Sequence, residues 1–296
     1  MKSKKLGLFL AITLLVAFAL PSQAGESLFG WVYTTDLTPK GAFEFEHISD
    51  LQHRQSQGTY EYLRHREEIE YGVTDNFQIS GYLNWSMIDA YRNGKTGTTE
   101  GPGTDLGAND DPFGRFKRTT VDSISMELIY RLMNPYTDSF GLALYLEPTW
   151  GPKTKELEMK LLLQKNFIDD RLIVAANIST ALERNVNKED IERATELDIV
   201  AGASYRFKEN WSAGLEARNH NEFAGYGYYS QDHAAYFIGP NLHYATQKYW
   251  ITAAWRHQLP WANPRKPDQE DVVVGGRIYG DEHSRDQFVV KVGIPF

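Results

Sequence analysis

The chain has 296 residues, no cysteine and a formal charge of −8. A disulfide-stapled secreted scaffold is excluded, and the acidic balance argues against a nucleic-acid partner. Seven tryptophans and 17 tyrosines are a heavy aromatic load, of the kind that anchors a protein at two membrane–water interfaces.

The first element is MKSKKLGLFLAITLLVAFALPSQAGES: three lysines, an apolar run from Leu6 to Leu20, then the small-residue stretch Pro21–Ala24. These are the three regions of a signal peptide, with cleavage expected after Ala24. The run is shorter than the ~20 residues a spanning helix needs. Loss of Lys2, Lys4 and Lys5 takes the charge from −8 to −11. Residues 25–39, GESLFGWVYTTDLTP, follow, and are expected either to fold into a lumen as a plug or to trail in the periplasm.

From residue 40 onward the chain repeats one unit. Stretches that alternate with period two, the signature of strands, are joined by short polar turns such as YGVTDNFQI at 71–79, KNFIDDRLI at 165–173 and YRFKENWSA at 205–213. Asn and Asp favour such turns because they tolerate positive φ and bond their own backbone. Twelve strands are predicted, near 41–50, 59–71, 77–88, 120–132, 140–150, 154–165, 171–182, 195–206, 211–223, 234–245, 249–259 and 285–296. Between the tight turns lie longer connections, notably 89–119 and 260–271; residues 271–280 are read as an extension of the last hairpin outside the membrane. Short turns at one end and long loops at the other predict an all-β fold: a closed antiparallel transmembrane β-barrel with short periplasmic turns and long extracellular loops.

The faces of the strands follow from the cost of placing charge against lipid, ~2–4 kcal/mol for Arg or Lys at mid-bilayer. With the apolar set outward, the lumen is expected to receive Glu44, Glu46, Arg64, Arg66, Glu68, Glu70, Glu127, Arg131, Glu147, Glu156, Glu158, Lys160, Glu196, Asp198, Arg206, Glu216, Arg218, His220, Arg256 and Lys291. His65 and Glu67 break the pattern and point at lipid unless a bulge shifts the register. Twelve strands ~4.8 Å apart, tilted ~40°, enclose a backbone radius of about 12 Å, and side chains narrow it further. Trp150, Trp211, Tyr249 and Trp250 are candidates for the aromatic girdles. The acidic loop residues Asp105, Asp110, Asp111, Asp268, Glu270 and Asp271 lack EF-hand spacing and are read as solvated charge, so no metal and no cofactor is expected.

The last twelve residues, RDQFVVKVGIPF, place Phe288, Val290, Val292, Ile294 and Phe296 on one face. On these residues the chain resembles Gram-negative outer-membrane β-barrels, and they look like the terminal signal read by the barrel-assembly machinery. DLTPKGAFEFEH at 36–47 and EYGVTDNFQISGYL at 70–83 are similar to the opening hairpin of transporter barrels associated with degradation of aromatic compounds. The resemblance implies an outer-membrane location, contact with membrane lipid and lipopolysaccharide, and a possible pore.

The function expected is a narrow pore or uptake protein for small solutes, its charged lumen setting selectivity. A non-conducting barrel that presents its loops to partners is the alternative, and a lipid-modifying enzyme a third reading. No G-x-S-x-G run occurs, and Ser212, Glu216 and His220 are too far apart along one strand to touch, so no enzyme is expected.

Overall fold

The computed structural model describes residues 27–55, 58–92, 114–186, 191–261, 273–274, 277–278 and 283–296. The signal peptide and the acidic loop residues lie outside them. Twelve long strands are present: β1 (Phe43–His53), β2 (Thr59–Thr74), β3 (Phe77–Tyr91), β4 (Arg115–Met133), β5 (Gly141–Trp150), β6 (Thr154–Phe167), β7 (Leu172–Val186), β8 (Ile191–Lys208), β9 (Trp211–Ala224), β10 (Gln231–Ala245), β11 (Trp250–Leu259) and, last, β14 (Asp286–Pro295). Between the last two, β12 (Val273–Val274) and β13 (Arg277–Ile278) form a separate two-stranded ribbon. The long strands close into one antiparallel barrel, each paired with its sequence neighbour. β14 zips onto β1 from Glu44↔Pro295 to His53↔Asp286, so no edge is left unpaired.

Twelve strands were expected and twelve form the wall; within 271–280 the described residues form the separate ribbon. The strands overrun their predicted ends mainly away from the tight turns: β4 begins at Arg115 and β8 at Ile191. The turns themselves use the predicted chemistry, with positive φ at Asp169, Asp170 and Asn210.

Burial alternates along much of the wall, most regularly in β1, β3, β5, β11 and β14. In β1 the even positions are buried and the odd ones less so, while Phe288, Val290 and Ile294 of β14 are exposed apolar positions on the outside. A belt of aromatic rings circles the periplasmic end. Phe43 packs on Tyr71 at 4.6 Å and on Phe296 at 5.7 Å, and Trp211 on Tyr244 at 4.7 Å. Trp150, at the other end, is also exposed.

Trp250 departs from its girdle assignment. Its side chain is 1% exposed and points into the barrel, where Nε1 donates to Glu44 at 2.7 Å. The room comes from across the strand pair: a Cβ on Gly293 would fall 2.1 Å from the Trp250 ring. Glu67 and His65 do face outward, and the only register shift between β2 and β3 lies at Gly72/Thr74, below both of them. A bulge is therefore not the reason for their placement.

Candidate functional site

The periplasmic half of the lumen is filled by the chain's own N-terminal segment. Residues 27–39 arc through it, and Lys40 ties the segment to the wall by a parallel bridge to Gly72. An extended segment enclosed in a barrel brings backbone amides that need partners. The wall supplies them from side chains on separate strands. Glu216 of β9 accepts from the N–H groups of Gly30 (2.7 Å), Trp31 (2.8 Å) and Val32 (3.3 Å). Asn177 of β7 both accepts from Tyr33 N–H at 2.7 Å and donates to its carbonyl at 2.8 Å. Gln164 of β6 accepts from Thr35 N–H, and Gln78 of β3 from Thr38 N–H, each at 2.7 Å.

Apolar contacts anchor the same segment. Phe29 and Val32 pack with Ile173, Ala175 and Val200, and Leu37 with Ile129, Ala143, Tyr145 and Leu162. Gly202 makes space for Phe29, whose ring would lie 2.7 Å from a Cβ at that position.

Asp36, at the periplasmic end, is enclosed by Gln164, Tyr136 and Arg131. Burial raises its carboxyl above the ordinary value, and hydrogen bonds from Tyr136 and Gln164 offset this only in part. A carboxyl whose pKa is raised on docking binds its proton more tightly in the docked state. Docking is thus strongest at acid pH and weakens as pH rises from the ordinary carboxylate value through the raised one. Asp36→Asn is expected to protect the segment from proteinase K better than wild type at neutral pH, and equally at acid pH. Equal protection at both would show that Asp36 carries no penalty.

Above the segment is a cavity of ≈ 1160 Å³, floored by Gly30, Trp31 and Tyr33. Of the residues expected in the lumen, Arg64, Arg66, Glu147, Glu156, Glu158, Lys160, Glu196, Asp198, Arg218, His220, Arg256 and Lys291 line it. Glu44, Glu46, Glu68, Glu70, Glu127 and Glu216 are buried as well, outside the cavity lining. Two expectations need correction. Arg131 sits at the inner rim, its guanidinium on the carbonyls of Asp75 (2.5 Å) and Thr35 (3.4 Å). Arg206 is exposed near the end of β8, outside the cavity. Alternation fixes which face a residue occupies and says nothing of its height in the wall.

Several of the lumen charges meet an opposite charge. Arg66 contacts Glu147 at 2.5 Å and lies 3.9 Å over the Tyr82 ring, whose hydroxyl donates to Glu127 at 2.6 Å. Arg218 grips Asp198 with two nitrogens, at 2.9 and 2.7 Å, and Lys160 meets Glu158 at 2.9 Å. Arg64 pairs with Asp50, a lumen acid missed from the sequence, at 2.7 Å. At the floor, Arg256 stacks 4.0 Å over the Trp31 ring, joining the wall to the segment.

Among the described residues three clusters have the donor sets of metal sites, one of them Glu196, Asp198 and His220. His220, His233 and His283 are buried and bring ligand atoms within 4.8 Å of one another, as do Glu44, Glu46 and Glu70. Three imidazoles suit a borderline ion such as zinc, and three carboxylates a hard cation. His233 lies on β10, the hairpin partner of the strand that carries His220, and went unnoticed in the sequence because His283, the third member, comes from the connection before β14, far along the chain.

A family model described as a family of unknown function (DUF6662) matches residues 21–296. The chain belongs to that family. No curated protein matches it. Among solved structures it is similar to the COG4313 outer membrane channel from Pseudomonas putida F1, with 8% identity and a TM-score of 0.58 over 87% of this chain and 96% of that one. The translocator domain of the autotransporter NalP from Neisseria meningitidis aligns at 11% identity and TM-score 0.52, covering 88% and 91%. The NanC porin aligns at 11% and 0.50, covering 86% and 99%. At such identities the likeness is one of fold. The DUF6662 chain has the architecture of outer-membrane barrels, channels and porins among them.

Proposed function

We propose that the chain is a gated outer-membrane channel for small hydrophilic solutes, with residues 27–39 as its gate. One observation carries this reading: a charged cavity of ≈ 1160 Å³ stops at a floor made of the chain's own N-terminal segment, held largely by hydrogen bonds to wall side chains. Hydrogen bonds of that kind contribute only ~0.5–1.5 kcal/mol each, or ~1.5–3 when one group is charged, because water replaces them on release. Such a contact set suits a gate that opens. A permanent seal would be expected to be apolar throughout. Acids from β6 to β8, including Glu156, Glu158, Glu196 and Asp198, gather on one side of the cavity, and arginines from β2, Arg64 and Arg66, on another. That two-signed lining favours small zwitterions and cations. Similarity to a channel and a porin, and the resemblance of the first hairpin to transporter barrels for aromatic compounds, support a role in passage.

The test is conductance in planar bilayers of the mature protein and of a variant lacking residues 27–39. The intact protein is expected to show rare, brief openings and the deletion variant a steady conductance. If the deletion variant folds, judged by heat-modifiable migration in gels, and still passes no current, the barrel is a non-conducting scaffold and the reading fails.

A further inference from the structure

The outer wall carries a group of polar side chains that the lumen does not explain. His47 and Ser49 of β1 and His65 and Glu67 of β2 all face outward, in the positions where their neighbours Phe45, Leu51 and Ile69 face lipid. Ionisable side chains on the lipid side of a barrel are costly. A cluster of them in one hairpin calls for a cause, and their geometry offers one.

Ser49 Oγ lies 2.9 Å from His47 Nε2. The other ring nitrogen, Nδ1, lies 2.9 and 3.0 Å from the two carboxylate oxygens of Glu67. Trp85 of β3 donates its indole N–H to the same carboxylate at 3.3 Å and stacks on His65 at 3.9 Å, bracing both. This is the order nucleophile, base, orienting acid on which acyl-transfer enzymes of unrelated folds converge, recognised by geometry and roles and not by sequence spacing. His47 and Ser49 are two apart on one strand, and Glu67 is the direct cross-strand partner of His47.

We propose that Ser49, His47 and Glu67 form a lipid-facing esterase site whose substrate is a long-chain acyl ester of an outer-leaflet amphiphile. Depth fits this class. Ser49 stands six residues above Phe43 of the periplasmic belt, which is about 20 Å along a strand and about 15 Å along the membrane normal. The apolar band is ~25 Å tall, so the serine lies in the outer-leaflet half. His47 and Glu67 are about one-third exposed, open to a lipid moving along the wall.

In the reaction Ser49 Oγ attacks the ester carbonyl carbon while its proton passes to His47 Nε2. Glu67 holds the imidazole in the required tautomer and stabilises the imidazolium. His65 Nδ1, 2.9 Å from Ser49 Oγ, donates a hydrogen bond beside the carbonyl oxygen that becomes negative. Collapse breaks the bond to the alcohol oxygen, which takes the proton from His47, leaving an acyl-serine. Water then attacks the acyl carbon, gives its proton to His47, and the Ser49 oxygen departs with that proton. The balance is ester plus water to free fatty acid plus alcohol. Ser49 and His47 are the catalytic residues; Glu67 acts through His47 and is a positioning residue.

The experiment uses the full mature protein in mixed micelles, with purified lipopolysaccharide in one arm and phosphatidylethanolamine in the other, and mass spectrometry to measure released fatty acid. Release in either arm supports the site, and the arm tells which lipid supplies the ester. Ser49→Ala is expected to lower release by at least ~10³-fold with heat-modifiable folding and bilayer conductance unchanged. Glu67→Gln should lower it strongly and Glu67→Asp restore part of it, a rescue that a merely structural carboxylate would not give. An organophosphorus ester probe should add one mass increment to the wild type and none to Ser49→Ala. No release in both arms together with no probe adduct, or release that survives Ser49→Ala, overturns the proposal. Because the site lies outside the lumen, these outcomes are independent of whether the channel conducts.

Discussion

Glu216→Ala is expected to free residues 27–39 from the lumen, seen as proteinase K cleavage within that segment and as a higher open probability in bilayers. The carboxylate is 3% exposed and accepts four hydrogen bonds, three from consecutive backbone amides and one from Asn241 at 2.9 Å. Alanine leaves those amides enclosed without a partner, at about 1–3 kcal/mol for each group. The loss is of the order of everything the apolar anchors Phe29 and Val32 supply, about 1.5–3 kcal/mol per fully buried side chain. Glu216→Gln should fall between, because an amide offers one acceptor and turns a donor toward a donor. A Glu216→Ala protein whose segment stays as resistant as wild type would show that the amide cradle does not hold the gate.

Arg66→Ala is expected to be the most destabilising single change in the lumen, by about 3–5 kcal/mol, as when one partner of a buried ion pair is removed. Arg66 is the cation that separates Glu147 from the Tyr82–Glu127 pair, and β2 contributes Glu68 and Glu70 to the same interior. Removing it leaves that group of acids with less counter-charge. The measurement is the urea midpoint in detergent followed by tryptophan fluorescence. Arg66→Met combined with Glu147→Gln should recover much of the loss, since it removes both charges together. A shift of the single variant below ~1 kcal/mol would class the contact with solvent-screened surface pairs and sink the idea that it holds β2 to β5.

The wall was legible from residues alone because its two rules are local. Period-two alternation sets the face of each side chain, and Asn–Asp turns set the reversals, so all twelve strands were found and most inward charges named. Height was not legible. Arg206 has the inward parity of Asp198, yet it lies near the far end of β8, exposed. Trp250 reads as a girdle residue until the glycine opposite it is known, and that pairing belongs to β14, more than forty residues later. The cradle was half legible. Gln78 and Asn177 stand on polar inward faces, but their roles depend on which backbone fills the space between strands far apart in sequence. Glu67 and His65 gave the clearest signal, because they violated the alternation. Their partners, His47 and Ser49, look like ordinary polar interruptions of β1 until the register of the first hairpin puts Glu67 opposite His47.

The bridge between Lys40 and Gly72 has a kinetic consequence. It fixes the gate's root three residues before the wall begins, so a released arm remains leashed to the rim of its own socket. A tether that short keeps the local concentration of the arm at about the millimolar level, and recapture outruns any competing encounter in bulk water. On the proposed gating, passage is expected as brief flickers, each ended by the molecule swallowing its own N-terminus.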